Sequence, residues 1–177
     1  CVSRPRRFGK TMALDMLAAY YGRGCDSRAQ FAGLAISRSE SFGRHLNKYN
    51  VIKVTMTNFL TRGGGTVQGA IRLLEELIKD ELANAFPDAR VSSDYPLSIW
   101  FARVYGFTGV PFVFLIDEWD CVMREFQGDE GAQKEYLDWL RDLLKDQEYV
   151  GLAYATGILP VKKHGQHSAL NMFEEVT

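Results

Sequence analysis

The chain has 177 residues, of which 46% are hydrophobic and 24% charged, and its formal net charge at pH 7 is −1. These values are typical of one globular domain with a hydrophobic core. The near-zero net charge argues against a protein that coats nucleic acid or binds a membrane surface. No apolar run is long enough to cross a membrane, and no signal peptide is visible. The sequence therefore predicts neither a membrane partner nor nucleic-acid binding by this segment.

The three cysteines, Cys1, Cys25 and Cys121, are scattered and form no C-x-x-C pair. This usage is typical of reduced cytosolic thiols, so we expect a cytoplasmic protein. The chain begins with Cys1 instead of Met, and only three residues precede its first motif. We therefore expect residues 1–177 to be a single-domain fragment, truncated at both ends, with an incomplete first strand and the C-terminal part missing.

The first third of the chain predicts one helix, one irregular segment and one strand. Residues 11–21 have a broad apolar surface typical of a helix, which Gly22 and Gly24 end. The segment 25–49 is irregular, and its expected anchors are Phe31, Leu34, Ile36 and Phe42. Residues 51–56 predict a strand whose end is the polar pair Thr57-Asn58.

The rest of the chain alternates helices and strands. Thr66 is the expected N-cap of a long amphipathic helix over 67–86, after a turn at Gly63-Gly64-Gly65. Helices are also predicted over 96–105 and 133–145, and a third strand over 150–155. Strands that alternate with helices of this length predict an α/β fold with a mainly parallel sheet.

One stretch carries the strongest chemical signal: Phe112-Val113-Phe114-Leu115-Ile116-Asp117-Glu118. Five apolar residues predict a strand buried on both faces, and it ends in two carboxylates. An unpaired buried carboxylate costs several kcal/mol, so two acids at this position are expected to meet charge. In P-loop ATPases the first acid holds the Mg²⁺ shell and the second polarises the attacking water, which predicts these roles for Asp117 and Glu118. The alternative is that both acids only cap the next helix.

A phosphate-binding loop would complete this chemistry, and its strict pattern is G-x-x-x-x-G-K-[ST]. Gly9-Lys10-Thr11 supplies the end of the pattern, although Arg4 stands at the first glycine position. Gly9 would let backbone N–H groups surround the β-phosphate, Lys10 would bridge the β- and γ-phosphates, and Thr11 would bind Mg²⁺. The residues expected to contact the nucleotide are Arg6, Arg7, Phe8, Gly9, Lys10, Thr11 and Met12. Arg6 and Arg7 could instead be solvated or packed on acids.

A glutamate directly after the metal-site aspartate marks the ATPase division with an additional strand between the two motif strands. The strand over 150–155 would then lie between them, and the strand over 51–56 would lie at the edge. The sequence thus predicts an α/β P-loop NTPase three-layer sandwich of the additional-strand (ASCE) type. Thr156 would face the γ-phosphate as a catalytic sensor beside Glu118 and Lys10, or it is a turn residue before Gly157.

Several other residues carry weaker signals. Asp120 could support the metal shell, although pairing with a loop arginine such as Arg6 is the preferred interpretation. Trp119 and Trp139 are expected to pack in the core. Lys162 and Lys163 could be transition-state cations, although a surface pair is the preferred interpretation. His164 and His167 have loose metal-ligand spacing without a third ligand, so ordinary loop histidines are expected.

The motifs together resemble the AAA-ATPase-like family, which has an R-P-R-R-F-G-K-[ST] loop, an I-D-E-[YW]-D motif and a T-G strand end. The family's loop also lacks the glycine that Arg4 replaces. The resemblance is carried by four segments: Ser3-Arg4-Pro5-Arg6-Arg7-Phe8-Gly9-Lys10-Thr11 with Leu14-Asp15-Met16-Leu17, Leu115-Ile116-Asp117-Glu118-Trp119-Asp120, Thr156-Gly157-Ile158-Leu159 and Ser168-Ala169-Leu170-Asn171.

The resemblance implies a mostly bacterial, predicted ATPase with ATP and Mg²⁺ as cofactors. Many members carry a C-terminal nuclease-like domain of the PD-(D/E)XK type, and a homo-oligomer is a further possible partner. The expected function is Mg-dependent ATP binding and hydrolysis coupled to conformational change. Two alternatives are a non-hydrolysing nucleotide switch or interaction module, and a phosphotransferase that uses the same loop.

Overall fold

The computed structural model of the chain describes residues 1–160 and 171–176. The strands are β1 (Val2–Ser3), β2 (Asn50–Thr55), β3 (Phe112–Asp117) and β4 (Val150–Gly157). The helices are α1 (Lys10–Tyr21), α2 (Arg28–Phe31), α3 (Phe42–His45), α4 (Met56–Arg62), α5 (Val67–Ala85), α6 (Leu97–Thr108), α7 (Cys121–Glu125) and α8 (Glu130–Leu144). Lys162, Lys163, His164 and His167 lie outside the described residues, as do residues 168–170 of the last motif.

The four strands form one parallel sheet in the order β1-β4-β3-β2. This order confirms the α/β prediction and the expected position of β4 between the two motif strands, with β2 at the edge. Residues 174–176 run along the other side of β1, where the Val176 N–H donates to the Cys1 carbonyl at 2.9 Å.

Helices cover both faces of the sheet because β3 alternates its side chains between them. Phe112, Phe114 and Ile116 lie in the main core with residues of α5, α6 and α8. Val113 and Leu115 face the other way and pack with Leu14 of α1. All six residues of β3 are buried, as predicted for a strand covered on both faces.

Side-chain caps mark the starts of the two amphipathic helices α5 and α8. α1 begins one residue earlier than expected, and α5 begins at Val67. Thr66 is the N-cap of α5, since its hydroxyl oxygen accepts the Gly69 N–H at 3.1 Å. α8 begins three residues before the predicted start because the Asp129 carboxylate accepts the Ala132 N–H at 3.0 Å.

Some expectations from the sequence are wrong. Leu34 and Ile36 do not anchor the irregular segment, because their side chains are 41% and 43% exposed. The segment is held by Phe31 and Phe42, which pack with Tyr20. Thr57 and Asn58 belong to the short helix α4, which no sequence signal predicted.

The two tryptophans predicted to pack do so to different degrees. Trp119 is buried in the main core, whereas Trp139 is half-buried against that core and donates to the Glu75 carboxylate at 3.0 Å. Among the described residues, no helix has both the length and the apolar character that a membrane crossing requires.

Candidate functional site

The carboxyl ends of β1, β3 and β4 meet at one edge of the sheet and surround a cavity of about 310 Å³. Open parallel sheets bind their ligands at this edge, because the loops after the strands converge there. The cavity brings together eleven residues of the loop motif, the acidic motif and the T-G end, and Met12, which follows the loop motif. Its lining residues are Arg6, Arg7, Phe8, Gly9, Lys10, Thr11, Met12, Asp117, Glu118, Asp120, Gly157 and Ile158.

The loop between β1 and α1 owes its shape to two left-handed residues. Gly9 has φ +72° and directly precedes the first residue of α1. Such a backbone costs a non-glycine residue about 1–2 kcal/mol, which accounts for glycine at this position. Arg7 also has a positive φ, of +68°, whereas Arg4 does not. The loop therefore does not need a glycine at Arg4, although the strict phosphate-loop pattern has one.

The backbone of this loop presents unsatisfied donors to the cavity. Within the described part of the chain, no N–H from Arg6 through Met12 donates a hydrogen bond. The N–H groups at the start of a helix carry a partial positive charge and bind anions. The loop thus has the chemistry of an anion cradle, and three cationic side chains flank it.

Lys10, the central cation of the loop motif, folds back onto its own loop. Its ammonium donates to the carbonyl of Arg4 at 2.7 Å and to that of Pro5 at 2.8 Å. These contacts hold the Lys10 ammonium beside the cavity, where both of its acceptors are neutral carbonyl groups. A bound phosphate would offer this ammonium charged acceptors, which form stronger hydrogen bonds.

The loop motif and the acidic motif are joined through Asp117. Its side chain is 3% exposed, and one oxygen, Oδ2, accepts the Thr11 hydroxyl at 2.6 Å. The other oxygen, Oδ1, accepts the hydroxyl of Thr156 and the Glu118 N–H, the latter at 3.0 Å. Asp117 caps no helix of the described residues, and the N-cap position of the next helix, α7, is Asp120. This contradicts the alternative that Asp117 only caps that helix.

Thr156 is a fully buried residue of β4 and not a turn residue, which excludes the second interpretation of this position. Its hydroxyl is used on Asp117, and Thr156 is absent from the cavity lining. Its neighbours Gly157 and Ile158 line the cavity instead. Contact of Thr156 with a γ-phosphate therefore stays a prediction.

Glu118 adopts a left-handed backbone with φ +53°, an uncommon conformation for a residue with a long side chain. The carbonyl of Glu118 accepts the Cys121 N–H at 3.0 Å, which closes a tight turn after β3. Its carboxylate accepts a hydrogen bond from the Thr57 hydroxyl at the start of α4. Strain of this kind is maintained only where the surroundings fix it, and it is common at functional sites.

Asp120 does not pair with Arg6, contrary to the expectation from the sequence. It is fully buried, and its ion-pair partner is Arg124, with Nε 3.4 Å from Oδ2. The same oxygen accepts the N–H groups of Ile158 and Leu159 at 2.9 and 2.8 Å. The reason is local, since α7 begins at Cys121 and places Arg124 one turn after Asp120.

Cys121 lies directly behind the acidic turn, and its side chain is buried. Burial raises the pKa of its thiol to about 12, an effect larger than the opposing influence of Arg124. The thiol is therefore protonated at neutral pH and has little nucleophilic character.

The site offers oxygen ligands of the type that a hard divalent cation prefers. Among the described residues, no group of three or more His, Cys, Asp or Glu side chains is placed to share a metal ion. Mg²⁺ does not require such a group, because it keeps several waters and binds through one or two carboxylates plus substrate phosphates. The adjacent hydroxyl of Thr11 and carboxylate of Asp117 fit this requirement.

Sequence reasoning missed Thr57 and the backbone contacts of Asp120. Thr57 stands 61 positions before its partner Glu118, and no local pattern indicates this pair. Its position at the end of β2, next to β3 in the sheet, was the one usable signal. For Asp120, the spacing of four residues to Arg124 was a signal for the pair.

The comparisons with known proteins agree with these motifs. A family model described as predicted AAA-ATPase matches residues 1–166. A protein of Azotobacter chroococcum mcd 1, named "Uncharacterized protein in vnfD 5'region", is 26% identical over 180 residues. That alignment covers 99% of this chain and 33% of the relative, so the chain spans about a third of the relative's length. No solved structure gives a significant match. The family match covers most of the chain, and the chain therefore belongs to the AAA-ATPase-like family.

Proposed function

We propose that this chain binds Mg·ATP at the cavity between β1 and β3 and hydrolyses it, coupling hydrolysis to conformational change. The observation that carries the proposal is the 2.6 Å hydrogen bond between the Thr11 hydroxyl and the Asp117 carboxylate. The bond joins two motifs that lie 106 positions apart. A metal ion that bridges nucleotide and protein needs oxygen ligands from both motifs at one point.

The loop supports triphosphate binding through three features. The free N–H groups from Arg6 to Met12 can donate to phosphate oxygens at the positive end of α1. Lys10 can exchange its two carbonyl acceptors for phosphate oxygens. The side chains of Arg6 and Arg7 line the same cavity and add positive charge.

Thr11 and Asp117 would hold Mg²⁺, since they are the adjacent hydroxyl and carboxylate of the cavity wall. When bound, the ion would neutralise charge on the phosphate oxygens as the terminal phosphoryl group is transferred. Glu118 is the residue we assign to orient the attacking water and accept its proton. Thr156 would fix the orientation of Asp117 through its hydroxyl and sense the γ-phosphate.

The sheet order supports assignment to the additional-strand ATPase type, because β4 separates β1 from β3. Glu118 directly after Asp117 is the second feature of that type. The ATPase type and the Mg²⁺ dependence are parts of this proposal, and so are a homo-oligomer and a C-terminal nuclease-like domain in the full-length protein.

A non-hydrolysing nucleotide switch is the second candidate, and one contact favours it. Thr57 binds the Glu118 carboxylate at the β2 side of the site, whereas the phosphate loop follows β1 at the opposite side of β4. If this bond keeps the carboxylate turned away from the terminal phosphate, Glu118 would not activate an attacking water. The chain would then change conformation with nucleotide binding alone.

Nucleotide binding and phosphate release by the full-length protein test both candidates. We expect Lys10→Ala to weaken ATP binding about tenfold to a hundredfold, because each charge-assisted hydrogen bond contributes about 1.5–3 kcal/mol. Arg62→Ala is the matched control, since it removes a cation at the end of α4, outside the cavity lining. ATP binding without phosphate release would favour the switch, and absence of ATP binding would contradict both candidates.

A further inference from the structure

Asp120 is a buried charge that the proposed chemistry does not use. Its side chain is fully buried, although it lies beside the cavity. Burial of a carboxylate costs several kcal/mol unless hydrogen bonds and an opposite charge compensate for it. The position of those compensating contacts indicates what the residue does.

The two best-directed contacts of Asp120 are with backbone. Its Oδ2 accepts the N–H groups of Ile158 and Leu159 at 2.9 and 2.8 Å. Arg124 Nε lies 3.4 Å from the same oxygen without a directed hydrogen bond, so this pair is a charge contact. The other carboxylate oxygen, Oδ1, has no partner among the described residues. The carboxylate therefore binds the segment after β4 more specifically than it binds its cation.

The segment from Thr156 to Leu159, which we name the β4 exit, has further contacts with the turn after β3. The Trp119 N–H donates to the Thr156 carbonyl at 3.1 Å. Gly157 packs so closely that a Cβ there would lie 2.6 Å from Trp119 Nε1 and 3.1 Å from Asp120 Cγ. Only glycine fits this approach without displacement of the indole ring.

The other side of the β4 exit is bound to the base of the phosphate loop. The Arg4 N–H donates to the Gly157 carbonyl at 3.1 Å. The Ser3 hydroxyl lies 3.1 Å from the Leu159 carbonyl and equally far from the Glu175 carboxylate, and it shares its hydrogen bond between them. The β4 exit thus connects the base of the phosphate loop with β3 and the turn after it. Thr156, at its beginning, donates to Asp117.

We propose that Asp120 is a positioning residue that clamps the β4 exit between the phosphate loop and the acidic turn. The clamp fixes Thr156, and Thr156 in turn orients the Asp117 carboxylate. This inference rests on the proposed ATP hydrolysis for its effect on turnover, whereas the clamp itself stands on contacts of the folded chain. Loss of the clamp should lower the rate of hydrolysis more than the affinity for Mg-free ATP, because the clamp acts on Asp117, which we assign to the metal, and not on Lys10 or the N–H groups of the loop.

The test compares three variants of the full-length protein: Asp120→Leu, Asp120→Asn and Arg124→Met. Leucine has a similar shape without an acceptor, asparagine keeps one acceptor oxygen, and Arg124→Met removes only the cation. For Asp120→Leu we expect kcat to fall about tenfold to a hundredfold, as for a small misplacement of a reacting group. The Kd for ATP measured with a chelator present should stay within about twofold. Asp120→Asn and Arg124→Met should both keep kcat within about threefold, because both retain an acceptor for the two N–H groups.

A second measurement needs no hydrolysis. In hydrogen exchange, Asp120→Leu should expose the amides of Ile158 and Leu159 selectively, and Asp120→Asn should restore their protection. Equal exchange in Asp120→Leu and the parent would overturn the clamp whatever the hydrolysis assay gives. Absence of ATP hydrolysis by the parent would contradict the proposed function and with it the effect on turnover, but not the clamp.

Gly157→Ala keeps the proposal testable if Asp120→Leu does not fold. This substitution leaves the carboxylate intact and forces the β4 exit away from Trp119. We expect the same loss of kcat with little change in Kd. An unchanged kcat in a folded Gly157→Ala protein would overturn the role in positioning, and so would a parallel loss of kcat and of affinity for ATP.

Discussion

The hydroxyl of Thr57 donates a hydrogen bond to the carboxylate of Glu118, the residue that we assign to activate water. This contact connects the start of α4 with the turn after β3. It occupies one carboxylate oxygen, Oε2, and holds the carboxylate toward the β2 side of the site. We expect that Glu118 must turn away from Thr57 to bring its carboxylate to an attacking water.

We expect Thr57→Val to raise the rate of ATP hydrolysis by a factor of about 2 to 10. A hydrogen bond to a charged group contributes about 1.5–3 kcal/mol, and the variant no longer spends part of this free energy on releasing Glu118. Phosphate release under single-turnover conditions measures this rate. Thr61→Val is the matched control, since the Thr61 hydroxyl donates to the Thr57 carbonyl in the same helix and does not contact Glu118. A lower rate in Thr57→Val would mean that the bond orients Glu118 for the reaction.

Thr11→Val tests the role of the hydroxyl beside Asp117. We expect Mg²⁺ to strengthen ATP binding by the parent and to have about tenfold less effect on Thr11→Val, equivalent to about 1.4 kcal/mol. ATP titrations with Mg²⁺ and with a chelator measure the difference. Thr11→Ser keeps the oxygen and should behave as the parent does. Equal Mg²⁺ dependence in the valine variant would remove Thr11 from the metal site.

Alanine substitutions at two glycines distinguish the effect of backbone strain on stability from an effect on ATP binding. Gly9 and Gly64 have φ +72° and +78°, and a Cβ at either would contact nothing within 4 Å. Alanine at each should therefore lower the free energy of unfolding by about 1–2 kcal/mol through the backbone alone. Only Gly9→Ala should also weaken ATP binding, because only Gly9 shapes the N–H cradle. Equal ATP affinity in both variants, measured by titration, would contradict that role of the loop.

The buried thiol of Cys121 predicts a loss of stability at alkaline pH. Burial raises its pKa from 9.0 to about 12, and burial also raises the pKa of Tyr136. A raised pKa stabilises the folded state below the pKa of the unfolded chain, and this contribution is lost as pH rises toward the folded value. Between pH 8 and pH 10, Cys121 alone should lower the free energy of unfolding by about 1.4 kcal/mol.

Urea unfolding at the two pH values measures the effect of Cys121. The difference between them should be smaller by that amount in Cys121→Ala and unchanged in Cys25→Ala, because Cys25 is exposed. A Cys121→Ala protein with the full pH dependence of the parent would show that other groups account for it.

Elements with a strong periodic pattern could be predicted from the sequence. The uniformly apolar run of β3 and the amphipathic spacing of α5 each predict one structure, and Thr66 gives the start of α5. The pair Asp117-Glu118 also led to the expectation that β4 lies between β1 and β3, and the sheet has that order. In these places local pattern and tertiary packing agree.

Contacts between distant segments could not be predicted in the same way. α4 and α7 have seven and five residues, too few for a helical period to be recognised. Their positions decide that Glu118 meets Thr57 and that Asp120 meets Arg124. Leu34 and Ile36 show the same limit, because an apolar residue in an irregular segment does not indicate which side of the segment is covered.

The most direct test of the central proposal is the fate of ATP on the Glu118→Gln variant of the full-length protein. The amide keeps the size and can still accept the Thr57 bond, but it cannot take a proton. We expect the parent to bind Mg·ATP and release phosphate. Glu118→Gln should bind Mg·ATP with similar affinity and retain it unhydrolysed, with a turnover rate at least about a hundredfold lower. Phosphate release by Glu118→Gln at the rate of the parent would contradict the assignment of Glu118 and the proposed mechanism of hydrolysis.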